Sequence, residues 1–266
     1  MNDPRTAFAD LLKGRVAIVT GGTKGIGRAI AEALLSAGAT VAICARTAPE
    51  TPVEAGGRQA EFHPCDVRVA ANCKAFVDAV AATHGRVDIL VNNAGGSPAV
   101  EAATVSPRFS EAIIGLNLLA PLHLSQAVHS HMAHQADGGS IINIASVSGA
   151  RPSPGTAAYG AAKAGLLSLT KSLAQEWGPL IRVNAIIVGL IETEQAELTY
   201  GSREAQEAIA QSLPLKRMGR GSDIADAVLY LASPWAGFVS GATLEVHGGG
   251  ERPLFLDLVE RHAPKS

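Results

Sequence analysis

Tyr159 and Lys163 stand four residues apart. On a helix that spacing puts them on one face, with Cβ atoms about 5–6 Å apart. A free tyrosine hydroxyl titrates at about 10, too high for ready proton exchange at neutral pH. A neighbouring ammonium favours the phenolate and lowers that value. The pair therefore has the chemistry of a general acid/base for a carbonyl or carbinol oxygen. Ser146 precedes Tyr159 by thirteen residues and follows the apolar run Ser140 to Ala145. Its hydroxyl can hydrogen-bond the same oxygen as charge develops on it. A Tyr-xxx-Lys spacing alone is a weak signal, and its weight comes from the elements that position it.

A second constellation lies near the start, in Thr20-Gly21-Gly22-Thr23-Lys24-Gly25-Ile26-Gly27. It follows the β-branched run Val16 to Thr20 and precedes a helical pattern of Ile26, Ala29, Ile30, Ala33, Leu34 and Ala37. Between a strand and a helix, glycines let the backbone approach a pyrophosphate, and the helix N-terminus offers it unpaired N–H groups. The Gly-xxx-Gly-x-Gly spacing differs from the standard G-x-G-x-x-G. An acid about 20 residues past the glycines would bind the ribose 2′-hydroxyl of NAD. Here Arg46 occupies that place, with no acid until Glu50. Arg46 and Lys24 suit the extra 2′-phosphate of NADP(H), with an NAD(H)-dependent dehydrogenase or a non-catalytic NADP-binding regulator as the alternative readings.

Strand and helix patterns alternate along the chain. Expected strands are Val16 to Thr20, Thr40 to Ala45, Glu61 to Asp66, Val87 to Asn92, Ser140 to Ala145, Ile181 to Val188 and Ala242 to Val246. Helical faces lie between them, one ending near Gly85 and another opened by a Ser222 cap. Residues 104–135 carry helical periodicity in two pieces, given Pro107 and Pro121. Parallel neighbours need crossovers, so the pattern specifies an α/β chain with an open doubly wound sheet of about seven parallel strands. No linker interrupts it, which predicts one domain over residues 1–266, with a substrate lid at about 190–221 and an apolar tail at 251–266.

Composition narrows the function. Lys plus Arg is 22 and Asp plus Glu is 24, a net charge of −2. That balance argues against a nucleic-acid partner, which needs a basic surplus. Aromatics at 4% argue against a base-stacking platform. No run of 18 or more uncharged apolar residues predicts a membrane span, and Asp3, Arg5 and Asp10 interrupt any signal peptide. Cys44, Cys65 and Cys73 form no CxxC and read as reduced, buried residues of a cytoplasmic protein. His123, His129, His131 and His134 read as solvated or interface residues rather than a metal site, and Glu192, Glu194 and Glu197 as a solvated face.

Taken together, these motifs resemble the short-chain dehydrogenase/reductase family of Rossmann-fold oxidoreductases. The resemblance runs from about Arg15 to Gly249 and rests on Thr20-Gly21-xxx-Gly25-Ile26-Gly27, Asp66-Val67, Asn92-Asn93-Ala94-Gly95, Asn117, Ser146, Tyr159 and Lys163. It implies metal-free hydride transfer between nicotinamide and a small-molecule carbonyl or alcohol. Tyr159 would donate the proton, Lys163 would lower its pKa and bond the nicotinamide ribose, and Ser146 would orient the carbonyl. Asn117 would hold a water linking Lys163 to solvent. Asp66 and Val67 would frame the adenine, and Asn93, Ala94 and Gly95 would contact the adenosine side. Gly189 lies in the loop beside the nicotinamide, whose carboxamide Thr193 and the backbone of Ile191 would hold. The resemblance also implies a homo-oligomer, a dimer or tetramer. Two departures stand out: Val188 before Gly189 where the family usually has Pro, and His247 where Asp is common.

Overall fold

The computed structural model describes residues 8–194 and 196–262. Asp3 and Arg5, Gln195 of the expected lid and the last four residues of the tail lie outside the described residues.

The first strand, β1 (Val16–Thr20), is buried at every position, as a continuous apolar run requires when both sheet faces are covered. The chain continues through α1 (Gly25–Ser36), β2 (Thr40–Ala45), a small hairpin of β3 (Glu54–Ala55) and β4 (Arg58–Gln59), and β5 (Glu61–Pro64). Next come α2 (Ala70–His84), β6 (Ile89–Asn92), α3 (Pro107–Ile114), α4 (Ala120–Met132), β7 (Gly139–Ile144) and α5 (Ala157–Trp177). After β8 (Ile181–Val188), the stretch 190–221 holds β9 (Ile191–Glu192), α6 (Ala196–Tyr200), α7 (Arg203–Ser212) and β10 (Gly219–Arg220). The described chain closes with α8 (Gly221–Ala232), β11 (Thr243–Val246) and α9 (Leu254–His262).

Seven strands form one sheet in the order β11-β8-β7-β6-β1-β2-β5, every pair parallel. The chain builds outward from β1 to β5, then returns to place β6 on the other side of β1. The order reverses there, and such a switch point opens a crevice at the C-terminal strand ends. Alternate residues feed two cores. Ala17 and Val19 join Ile30, Leu34 and Val228 under α1 and α8. Ile18 joins Phe76, Leu124 and Ile141 under α2 and α4.

At the N-terminal strand ends, buried Asp88 accepts from the Val16 N–H (2.8 Å), Arg15 (3.0 Å) and Arg86 (2.6 and 2.8 Å). One carboxylate thereby ties the start of β1 to the segment entering β6.

Several expected boundaries shift. Pro64 ends β5 two residues early, because proline cannot donate to the ladder. The two helical pieces begin at Pro107 and beside Pro121, as expected, and are joined by a π-helical turn at Gly115–Leu119. Pro121 has no N–H to give the preceding turn, so the regular α-helical ladder is interrupted just before it. Ser222 does not cap α8. Asp223 does so, accepting the Arg220 N–H at 2.6 Å. Among the described residues, no helix is long and apolar enough to cross a membrane.

Candidate active site

Ser146 lies just beyond β7, and Tyr159 and Lys163 fall on successive turns of α5. The Ser146 oxygen accepts the Ser148 N–H at 3.2 Å, which orients the side chain at the strand end. Lys163 is only 3% exposed. Its Nζ donates to the Ile144 carbonyl at 2.6 Å and lies 5.6 Å from the centre of the Tyr159 ring. Burial lowers the Lys163 pKa to about 8, since desolvation penalises an ammonium.

Tyr159 departs from the sequence-based expectation. Its pKa is raised, first by burial, against which the Ser146 bond works, with Tyr200 adding to the rise. The geometry explains the sign: Lys163 spends its bond on Ile144 and faces the ring rather than the hydroxyl.

Asn117 falls in the π-helical turn, fully buried. Its amide accepts the Gly96 N–H (2.9 Å) and donates to the carbonyls of Gly96 (3.0 Å) and Ile113 (3.0 Å). Between Asn117 and Lys163 sits Gly95, where a Cβ would meet Asn117 Oδ1 at 2.6 Å and Lys163 Nζ at 3.3 Å. Glycine is thus required for the strand-end turn to lie against the lysine.

A buried polar chain beneath the site aligns its elements. Asn92 on β6 donates to Asn143 on β7 (2.8 Å), which donates to Thr170 on α5 (2.9 Å), which donates to the Leu166 carbonyl (2.8 Å). Neither Asn143 nor Thr170 stands out in the sequence, because each reads as one polar residue in an apolar element.

The glycine turn occupies the switch point. Thr20 Oγ1 accepts the N–H groups of Asn93 (3.0 Å) and Ala94 (2.9 Å), and Asn93 Nδ2 donates to the Thr20 carbonyl (2.9 Å). A Cβ on Gly27 would lie 2.2 Å from the Gly21 carbonyl oxygen, so only glycine lets α1 begin this close to the strand. The first turn of α1 has no acid, and Lys24 supplies no capping side chain. Its N–H groups therefore face the groove, as a bound pyrophosphate requires. Thr23 and Ile26 are half-buried along that turn. A pocket of about 410 Å³ beside the start of α1 is lined by Gly25, Arg28, Glu32, Thr193, Glu194 and Ser222.

Arg46, at the end of β2, is exposed. Arg28, by contrast, is committed to Glu32, Thr51 and Pro52. Asp66 is gripped by Arg68, with Nε–Oδ1 at 2.9 Å and Nη2–Oδ2 at 2.5 Å. That grip, helped by Arg46, lowers the Asp66 pKa to about 2. Val67 beside it is buried.

At the other end of the groove, Val188 closes β8 opposite Val246, and Gly189 packs against His247, whose ring pairs with Glu245 at 2.8 Å. The Ile191 N–H, expected to hold a carboxamide, instead donates to the Tyr200 hydroxyl at 3.3 Å. Tyr200 escaped the sequence reading because α6 carries no motif. His131 pairs with Asp78 at 2.9 Å, and Glu192, Glu194 and Glu197 are exposed.

Comparison with known proteins identifies this arrangement. Residues 21–251 match the family model described as Enoyl-(Acyl carrier protein) reductase. A 3-oxoacyl-[acyl-carrier-protein] reductase of Thermotoga maritima is 34% identical, covering 90% of this chain and 98% of its own. A D-threitol dehydrogenase of Mycolicibacterium smegmatis is 36% identical, covering 90% and 93%. The ligand-free structure of Thermoplasma acidophilum aldohexose dehydrogenase superposes with a TM-score of 0.84 at 32% identity, covering 97% and 98%. The chain belongs to the short-chain dehydrogenase/reductase family of Rossmann-fold oxidoreductases. It is an enzyme acting on CH–OH or carbonyl groups with a nicotinamide cofactor.

Proposed function

We propose that the protein is an NADP(H)-dependent reductase of a small or medium-sized organic carbonyl compound, with Tyr159 as the proton donor. The observation that carries this reading is the grouping of half-buried Ser146 and Tyr159 with the buried Lys163 at the C-terminal end of the sheet. The bound nicotinamide supplies a hydride to the carbonyl carbon. Ser146 offers its hydroxyl to the substrate oxygen, and Tyr159 gives that oxygen its proton. Burial raises the Tyr159 pKa, so the hydroxyl carries its proton at neutral pH. Lys163, charged below about pH 8, stabilises the phenolate left behind and bonds the nicotinamide ribose. Asn117 Oδ1 retains one lone pair after its Gly96 bond, the atom available to a water relaying protons from solvent to Lys163.

Gly21, Thr23, Gly25, Ile26 and Gly27 cradle the pyrophosphate, and Lys24 and Arg46 receive the 2′-phosphate. Asp66, Val67, Asn93, Ala94 and Gly95 border the adenosine, while Gly189, Ile191 and Thr193 border the carboxamide. Tyr200 occupies the Ile191 N–H until the cofactor displaces it, so the 190–221 stretch acts as a lid. The exposed Leu254, Phe255 and Val259 of α9 support a homo-oligomer joined through the tail, and deleting residues 254–266 is expected to lower the mass seen by light scattering.

Tyr159→Phe is expected to lower turnover by roughly 10²–10⁴-fold, the usual worth of a general acid, with NADPH still bound. Wild-type turnover in a carbonyl screen would refute the assignment. Arg46→Asp is expected to shift preference from NADPH toward NADH, and a wild-type enzyme that already prefers NADH would refute the cofactor choice.

A further inference from the structure

Glu194, which the sequence presents as part of a solvated face, stands against the glycine turn. A Cβ built on Gly25 would lie 3.6 Å from Glu194 Oε2 and 4.0 Å from Thr193 Cγ2. Gly25 opens α1, whose first turn carries no acid and whose N-cap, Lys24, makes no side-chain bond. The N–H groups of a first turn have no partners within their helix. A carboxylate close to them is favoured by the helix dipole. Glu194 thus brings to α1 the negative charge that the helix's own first turn leaves out.

Packing sets the position of Glu194. β9 pairs in parallel with β10, Ile191 against Gly219 and Glu192 against Arg220. β10 runs directly into α8. α8 is seated on α1, so closely that a Cβ on Gly221 would meet Ala29 Cβ at 2.8 Å and Ile26 Cα at 3.6 Å. Thr193 and Glu194 are the two residues after β9, and these contacts deliver them to the start of α1. Arg28 lines the same pocket, but Glu32, Thr51 and Pro52 hold its guanidinium. That cation is spent on the α1 side and leaves the Glu194 charge to the N–H groups.

We propose that Glu194 sets cofactor affinity from the lid, holding the place of an anion at the start of α1 until the pyrophosphate displaces it. A pyrophosphate brings two negative charges to the same N–H groups. Glu194 must therefore swing away for binding to complete, and the loss of its contact with α1 weakens the measured affinity. The residue borders the pyrophosphate and lies away from the reacting atoms, so it governs cofactor binding and release rather than proton transfer. The effect on nucleotide rests on the proposed dinucleotide groove, whereas the contact between Glu194 and α1 does not.

The test is Glu194→Gln, which keeps the side chain's shape and removes its charge. In NADPH fluorescence titration of the full chain at low salt, the variant's Kd should be about two- to fivefold lower, the worth of a carboxylate at a helix N-terminus. The gap should narrow in 1 M salt, where screening acts within about 3 Å. 2′-AMP, which carries no pyrophosphate, should bind both forms equally by calorimetry. An unchanged or higher Kd for NADPH in the variant, or an equal gain for 2′-AMP, would overturn the proposal. Hydrogen exchange supplies a readout that needs no nucleotide. Amides of residues 191–200 should exchange at least twofold faster in Glu194→Gln, and equal exchange would overturn the contact with α1. If the wild type bound neither NADPH nor NADH, the functional reading would fail while hydrogen exchange still judged Glu194.

Discussion

Two buried charges sit at opposite ends of the same sheet. At the N-terminal strand ends, Asp88 receives a backbone N–H and two guanidinium groups. At the C-terminal ends, Lys163 has three N–H donors and, among the described residues, one hydrogen-bond acceptor, the Ile144 carbonyl. The first charge is satisfied and fastens two strands. The second is buried with a carbonyl as its partner, and desolvation lowers its pKa to about 8. A charge left short of partners costs stability and is available to a ligand. The contrast separates the edge that holds the fold from the edge proposed to do chemistry.

Three substitutions probe that contrast, in order of expected effect. Asp88→Ala should destabilise the fold by about 3 kcal/mol, at the lower end for breaking a buried pair. The lower end applies because Arg15 and Arg86 remain 37% and 35% exposed and can return to water. Urea unfolding reads this out, and a loss near zero would mean that Asp88 is no fastener. Lys163→Met should act the other way. Lowering from 10.5 to about 8 corresponds to about 3 kcal/mol of strain on the charged form. Losing the Ile144 bond returns about 1 kcal/mol of that. The variant should therefore be more stable by about 2 kcal/mol at pH 7 and catalytically dead. Tyr200→Phe is the mildest change. Removing the hydroxyl that competes for the Ile191 N–H should tighten NADPH binding by up to about fivefold, the worth of one net hydrogen bond. Weaker binding in a fluorescence titration would place Tyr200 on the cofactor's side instead.

Local patterns made much of this legible. Val16–Thr20, Thr40–Ala45 and Ile181–Val188 form strands with the expected bounds, because continuous apolar β-branched runs have few alternatives when both faces are covered. The Ser146, Tyr159 and Lys163 grouping was readable because helical spacing and strand ends are local properties. What escaped depends on contacts between distant segments. The sign of the Tyr159 shift depends on burial and on where Lys163 points. Tyr200 meets Ile191 only through the turn of the 190–221 stretch. The resemblance names Asn117, but its bonds to Gly96 and Ile113 depend on the π-helical turn. Periodicity carries none of this.

The central claim is that Lys163 is a buried, under-partnered ammonium, kept at a cost to the fold. The direct test is thermal unfolding of the wild type and Lys163→Met from pH 7 to about pH 11. Unfolded lysine titrates at 10.5 and folded Lys163 at about 8, so between those values the unfolded chain binds more protons. Wild-type stability should therefore gain on the variant as pH rises through that window. The variant's advantage should be full below about pH 8 and gone above 10.5. Parallel curves, or a variant less stable at pH 7, would contradict the account.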